Sequence, residues 1–136
     1  TMPKVSKTTA ATQMGIPGLM EAAMAEVDGY SVEIESYDGP DMDFAFAYKG
    51  LPDDRCQAHH VGYILKGKIT SRMADGSEEV FEAGDAVVIE PGHTPSMASG
   101  TEFVMFTPAE EANAMQEVVQ GNMMKYLQEQ GIELPS

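Results

Sequence analysis

Cysteine and histidine are sparse in this chain, with one cysteine and three histidines in 136 residues. Cys56, His59 and His60 cluster in the run Cys56-Gln57-Ala58-His59-His60-Val61-Gly62-Tyr63-Ile64-Leu65-Lys66-Gly67, and His93 comes from a separate segment. The run reads as a β-strand that ends in a glycine turn. Side chains alternate faces on a strand, so Cys56, Ala58, His60, Gly62 and Ile64 share one face, and Gln57, His59, Val61, Tyr63 and Leu65 share the other. A thiol and an imidazole therefore project into the same space, separated by small Ala58. With His93 facing them, Cys56, His60 and His93 make a donor set of one thiolate and two imidazoles. A divalent ion such as Zn²⁺ suits that set, and three protein ligands leave one position for water or substrate. Fe²⁺, Mn²⁺ and Cu²⁺ stay open on ligand type. A metal-free reading uses the same residues as catalysts. His60 would be a general acid/base near neutral pH, and Cys56 a nucleophile if a neighbouring imidazole lowers its pKa.

Other polar residues nearby have plainer readings. His59 and Tyr63 share the face that reads as outer packing or a dimer surface. Asp53, Asp54 and Arg55 read as a solvated turn with a local ion pair of little energetic worth, and Asp54 becomes a fourth ligand only if it turns inward. Glu90, beside Pro91-Gly92, is a strand-end carboxylate or a second acid/base. The sequence holds no phosphate-cradling glycine loop and no nucleophile elbow.

The length fits one domain, and 43% hydrophobic residues suffice for a core. A net charge of −14, with only eight basic residues and none of them clustered, excludes nucleic acid and anionic membranes as expected partners. One cysteine cannot form an internal disulfide, which fits a reducing cytoplasm. The start of the chain has no basic-then-apolar signal pattern. Residues 1–13 are polar and read as a loose arm that packs on a partner subunit.

Residues 17–28 have helical spacing, with Pro17 at a first-turn position, Leu19, Met20, Ala23, Met24 and Val27 recurring at three and four, and Gly29 as the stop. From Tyr30 the period becomes two. Strands are expected over 31–35, 43–48, the run from Cys56, 68–73, 78–81, 86–89 and 101–106. Asp75-Gly76 gives a type I′ hairpin signal. Thr107-Pro108-Ala109-Glu110 starts a second helix, running to about Gln130 and stopped by Gly131. Its Met115, Val118, Val119, Tyr126 and Leu127 form a stripe to dock on the sheet or on another subunit. The chain thus divides into an arm and short helix (1–29), an antiparallel β-barrel (30–107) and a helix with tail (108–136).

Two stretches resemble the cupin superfamily, in particular its small single-domain members. Tyr63-Ile64-Leu65-Lys66-Gly67-Lys68 is similar to the end of the first cupin motif. Gly84-Asp85-Ala86-Val87-Val88-Ile89-Glu90-Pro91-Gly92-His93 is similar to the second. The resemblance covers about residues 30–106. It implies an all-β, cupin-like antiparallel barrel (double-stranded β-helix, or jelly roll) with a ligand pocket at one mouth. The family's metal pattern is His-x-His, then Glu, then His after the second Pro-Gly element. Set on this sequence, the Glu position falls on His60, the two preceding His positions on Cys56 and Asp54, and the last His position on Pro95, with His93 two residues earlier. The location of the family's site is kept and its chemistry altered.

These readings combine into an expected function. The chain would be a cytoplasmic, homodimeric, metal-dependent enzyme holding a small organic molecule in the barrel mouth, with oxygenase, isomerase, cyclase and lyase chemistry all open. A metal-free carrier or sensor with a methionine-lined pocket is the alternative. A third reading is an assembly protein whose helical ends make the dimer.

Overall fold

The computed structural model describes residues 2–132. Ten strands form two antiparallel sheets. The six-stranded sheet has β1 (Thr12–Ile16), β2 (Met20–Val27), β3 (Tyr30–Tyr37), β10 (Thr101–Pro108), β5 (His60–Lys66) and β8 (Ala86–Ile89), in that order. The four-stranded sheet runs β4 (Met42–Asp43), β9 (His93–Met97), β6 (Lys68–Met73) and β7 (Glu78–Glu82). One helix, α1 (Ala109–Glu129), follows the last strand. The expected barrel of antiparallel strands with a longer C-terminal helix is present. Residues 133–136 of the expected tail lie outside the described residues.

The short N-terminal helix expected over 17–28 is not formed. Residues Met20–Val27 are a strand, paired with β1 and along its whole length with β3. The reason lies in its turn. Asp28 (φ 51°) and Gly29 (φ 82°) both adopt positive φ between the partners Val27 and Tyr30, the backbone a two-residue type I′ hairpin demands. Gly29 is a hairpin residue rather than a helix stop. The first residues also pack on their own chain: Ala10 is buried, and Lys7 pairs with Glu102 of β10.

The strand expected over 43–48 is also corrected. Only Met42–Asp43 pairs, with β9, and a 3-10 turn covers Ala45–Tyr48. Asp43 Oδ1 accepts the Ala45 N–H at 2.8 Å, a local bond that competes with sheet pairing. Phe44 then lies edge-on to Tyr37, and Phe46 stacks on Tyr126 of α1 at 4.8 Å between ring centroids. The 68–82 hairpin forms as expected, but its turn is not type I′. Ala74 to Ser77 bridge it, and only Gly76 has positive φ.

Two clusters make the core. Ile64, Ile69, Val87, Ile89, Phe103 and Met105 come from both sheets and fill the space between them. Ile16, Leu19, Tyr37, Phe44 and Leu127 close the other region, joining α1 to the barrel. Full burial of Leu127 contributes roughly 1.5–3 kcal/mol to that docking. Asn122 Nδ2 adds hydrogen bonds to the Ala47 and Lys49 carbonyls. The β5–β6 turn depends on Gly67, at φ 72°, where a Cβ would come within 2.7 Å of the Thr101 Cα. No described helix is long and apolar enough to cross a membrane.

Candidate metal centre

Period-two exposure runs through the whole segment from Cys56 to Leu65, with Cys56, Ala58 and Ile64 buried and Gln57, His59, Val61, Tyr63 and Leu65 exposed. Formal pairing begins only at His60, so the expected strand is shorter at its start. Cys56 is held differently. It forms an isolated antiparallel bridge with His93, its N–H donating to the His93 carbonyl at 2.9 Å and its own carbonyl accepting the Gly92 N–H at 2.7 Å. The backbone therefore fixes Cys56 beside His93, and β5 brings His60 to them.

One ligand atom from each of Cys56, His60 and His93 lies within 4.8 Å of the other two. Cys56 Sγ is 3.4 Å from His60 Nε2, and the two imidazoles meet edge-to-face at 5.2 Å between centroids. Zn–S and Zn–N bonds of about 2.3 and 2.0–2.1 Å place tetrahedral ligand atoms roughly 3.3–3.6 Å apart, so the sulfur–nitrogen pair already has that spacing. His93 Nδ1 donates to the Glu90 carbonyl at 2.5 Å, and His60 Nδ1 lies 2.7 Å from Thr107 Oγ1. A proton held on each Nδ1 leaves each Nε2 lone pair free, the outer-shell arrangement that orients metal-binding histidines. The donor set fits a metal ion. Thr107, the first residue of the expected helix start, is the last but one residue of β10 and sets its hydroxyl against this site, and α1 starts with no side-chain cap.

Burial sets the protonation of these groups. It lowers the His60 pKa to about 4, with neighbouring His93 adding to the effect. Burial also lowers that of His93, against the opposing bond to Glu90. It pushes the Cys56 thiol up to about 11, against a backbone hydrogen bond from Ala58. Near neutral pH the three residues are thus a thiol and two neutral imidazoles. Such a thiol is a poor nucleophile by itself, whereas a coordinated metal ion removes its proton.

The other sequence candidates lie outside the cluster. Asp54 is exposed and accepts the Gly50 N–H at 2.9 Å. His59 is exposed, bonded through Nδ1 to Glu111 of α1 at 2.7 Å, with Glu90 at 3.8 Å from its other nitrogen. That bond to Glu111 raises the His59 pKa. Tyr63 is exposed on the outer face.

Three interior groups escape the sequence reading. Alternation over 31–35 suggests carboxylates outward, but Glu33 and Glu35 pair with Met105 and Phe103 of β10, both of which face the core. Directly opposed residues share a face, so both carboxyls point into the barrel. Glu35 is 9% exposed. Neither forms a hydrogen bond or ion pair with another described residue, yet among the described residues no fully buried side-chain oxygen is without a partner. Their oxygens therefore border accessible space. Burial raises Glu33 to about 7 and Glu35 well above the ordinary value, with Glu33 adding to the shift of Glu35. Tyr48 joins them, its pKa raised by burial and by Cys56, Glu33 and Glu35 nearby. The only signal for them in the sequence is the two-residue spacing of Glu33 and Glu35, which reads equally well as a solvated face. A surface depression of about 390 Å³ lined by Gly67, Lys68, Glu82, Ala83 and Ala98 shares no residue with this interior.

Two antiparallel sheets, the Gly84-Asp85 and Pro91-Gly92 turns, and a cysteine–histidine cluster inside one end define a cupin fold. Solved structures agree. An RmlC-like cupin from Shewanella frigidimarina is 18% identical over 79% of this chain and 93% of its own, with a TM-score of 0.51. A putative ethanolamine utilization protein Q from Salmonella typhimurium is 13% identical over 79% and 97%, at 0.52. Ectoine synthase from P. lautus is 10% identical over 80% and 78%, at 0.53. These likenesses establish the fold. No protein-family model and no curated protein matches the sequence.

Proposed function

We propose that this chain is a cytoplasmic metal-dependent enzyme that acts on a small organic molecule in the mouth of the barrel. The observation that carries this reading is the convergence of Cys56 Sγ with the His60 and His93 rings, each ring already bonded through Nδ1. Cys56, His60 and His93 are the ligands, and Thr107 and the Glu90 carbonyl orient the two rings. When bound, the ion supplies a Lewis acid that polarises a substrate oxygen. Glu33, Glu35 and Tyr48 give the interior proton-carrying groups of its own, and the raised carboxyl pKa values suit general acid/base work near neutral pH. This store of protons favours turnover over simple carriage. Enzymes among the cupin-fold neighbours, a polyketide cyclase and ectoine synthase, are consistent with such a role.

Metal analysis of tag-free protein tests the reading. About one equivalent of a divalent ion is expected, either as isolated or after adding Zn²⁺, Fe²⁺, Mn²⁺ or Cu²⁺. Uptake below about a tenth of an equivalent for every ion removes it.

The homodimer belongs to the same proposal, placed on a different surface from the helical ends. Val61, Tyr63 and Leu65 of β5, Val88 of β8 and Phe106 of β10 are exposed on the outer face of the six-stranded sheet. Val61 is the register partner of both Val88 and Phe106, so the patch is continuous. Continuous apolar surface of this kind marks an interface, and a second copy offers the same patch by two-fold symmetry. Light scattering is expected to give a two-chain mass, and Val61→Glu with Phe106→Glu a one-chain mass. A one-chain mass for the unaltered protein at micromolar concentration overturns the dimer.

A further inference from the structure

We infer that Met115 of α1 is a fourth donor to the Cys56–His60–His93 centre and that the resulting thiolate–imidazole–imidazole–thioether set is built for copper. The inference rests on the metal reading above and adds a ligand and an ion to it. Met115 Sδ lies 3.6 Å from Cys56 Sγ, close to the 3.4 Å that separates the same sulfur from His60 Nε2. The one thiol hydrogen thus has two acceptors within reach. A metal ion that displaces it meets both.

The thioether is held in place from both sides. One turn before Met115, Glu111 Oε1 accepts the His59 backbone N–H at 2.9 Å and bonds the His59 ring. Further along α1, Asn122 ties the helix to the Ala47 and Lys49 carbonyls. Between these anchors Met115 is half-buried above a fully buried Cys56. Core packing alone would explain a methionine on this stripe. It does not explain why its sulfur is set against the chain's only thiol, which two imidazoles also flank.

The chemistry of the four donors selects the ion. Two imidazoles and a thiolate with a weak, long thioether form the ligand set that copper takes in trigonal sites. Protein zinc sites draw on cysteine, histidine and carboxylate, and Mn²⁺ prefers oxygen. Oxygen donors are near but outside the cluster: Glu33 and Glu35 line the same interior, yet among the described residues only Cys56, His60 and His93 form a donor group within 4.8 Å. Cu²⁺ also stands above Zn²⁺, Fe²⁺ and Mn²⁺ in intrinsic affinity for such ligands. Binding replaces the thiol proton of Cys56, so one proton is released per ion.

The test adds Cu²⁺ to the whole chain without oxygen and reads the optical spectrum; a separate titration with ascorbate-reduced copper and a competing chelator measures Cu⁺ affinity. One equivalent of Cu²⁺ is expected to produce an intense visible thiolate-to-copper charge-transfer band, absent in Cys56→Ser. Met115→Leu is expected to keep the band, shift its energy and lower Cu⁺ affinity by about tenfold, with Zn²⁺ affinity and the thermal midpoint unchanged. A spectrum and Cu⁺ affinity that Met115→Leu leaves unaltered overturn the inference. So does Cu²⁺ that binds without the band, while Zn²⁺ uptake by the same residues would keep the metal reading intact. Failure to bind any ion removes the metal reading itself and this inference with it.

Discussion

Replacing Glu33 and Glu35 together by glutamine is expected to stabilise the metal-free protein at pH 8 by about 3 kcal/mol or more, and to change it little at pH 5. Glu33 ionises at about 7 when folded against an ordinary 4.5, and Glu35 is shifted in the same direction. Both carboxyls share a face with Phe103 and Met105, and no cation among the described residues contributes to their shifts. Folding therefore favours the protonated acids. A raised carboxyl pKa adds stability that is full below pH 4.5 and is lost as pH rises through about 7 for Glu33. The rise of Glu33 from 4.5 to about 7 corresponds to roughly 3 kcal/mol. His60 and His93 act in the opposite sense. Their folded pKa values are depressed, so their contribution is present above pH 6.5 and lost as pH falls toward about 4. Wild type is thus expected to lose stability above about pH 6.5 through the carboxyls and below about pH 4.5 through the histidines, the two contributions opposing each other in between. The double variant should keep only the acid-side loss. Urea midpoints measured from pH 4.5 to 8.5, with chelator present and protein concentration fixed, check this. Parallel profiles for the two proteins would mean that the carboxyls are solvated.

The second large effect concerns the metal. His93→Ala is expected to weaken Zn²⁺ binding by two to three decades. Zinc-peptide affinities of about 10–16 kcal/mol over four ligands average roughly 2.5–4 kcal/mol for each. Thr107→Val removes no ligand, only the oxygen at 2.7 Å that orients the His60 ring, and its expected loss is smaller, about 10- to 100-fold. Affinity should also rise about tenfold per pH unit between pH 7 and 9. The ion must displace the Cys56 proton, whose pKa of about 11 lies above that window, while both imidazoles are already neutral. Calorimetric or chelator-competition titrations measure all three. An affinity independent of pH would show that Cys56 is not a ligand, and equal losses for His93→Ala and Thr107→Val would contradict the division between ligand and orienting group.

Local sequence carries some of this protein completely. Alternation from Cys56 to Leu65 survives into the folded chain because Ala58, Gly62 and Ile64 can only be accommodated on one side of a sheet. A Cβ on Gly62 would lie 2.0 Å from the Val104 carbonyl. The hairpin over 68–82, the strand before Pro91-Gly92 and the helix that ends near Gly131 are encoded in the same way, by turn residues with one comfortable conformation. The proximity of Cys56 to His60 follows from these local features.

Other features needed the assembled barrel. Residues 20–27 are rich in alanine and methionine, which suit either a helix face or a strand, and the hydrogen bonds offered by β1 and β3 settle the choice. The orientation of Glu33 and Glu35 is likewise set from outside. Both faces of β3 are partly covered, Val32 being buried as well, so alternation marks two faces without saying which one meets the second sheet. Met115 reads as packing until α1 crosses the end of the barrel and sets its sulfur beside Cys56. Sequence by itself determined the strand run from Cys56, the 68–82 hairpin and the pair of residues on one strand face, since these depend on side-chain period and backbone sterics. Tertiary structure alone decided which polar groups share the interior with that pair, because long-range strand pairing and helix docking bring together residues that no local period connects.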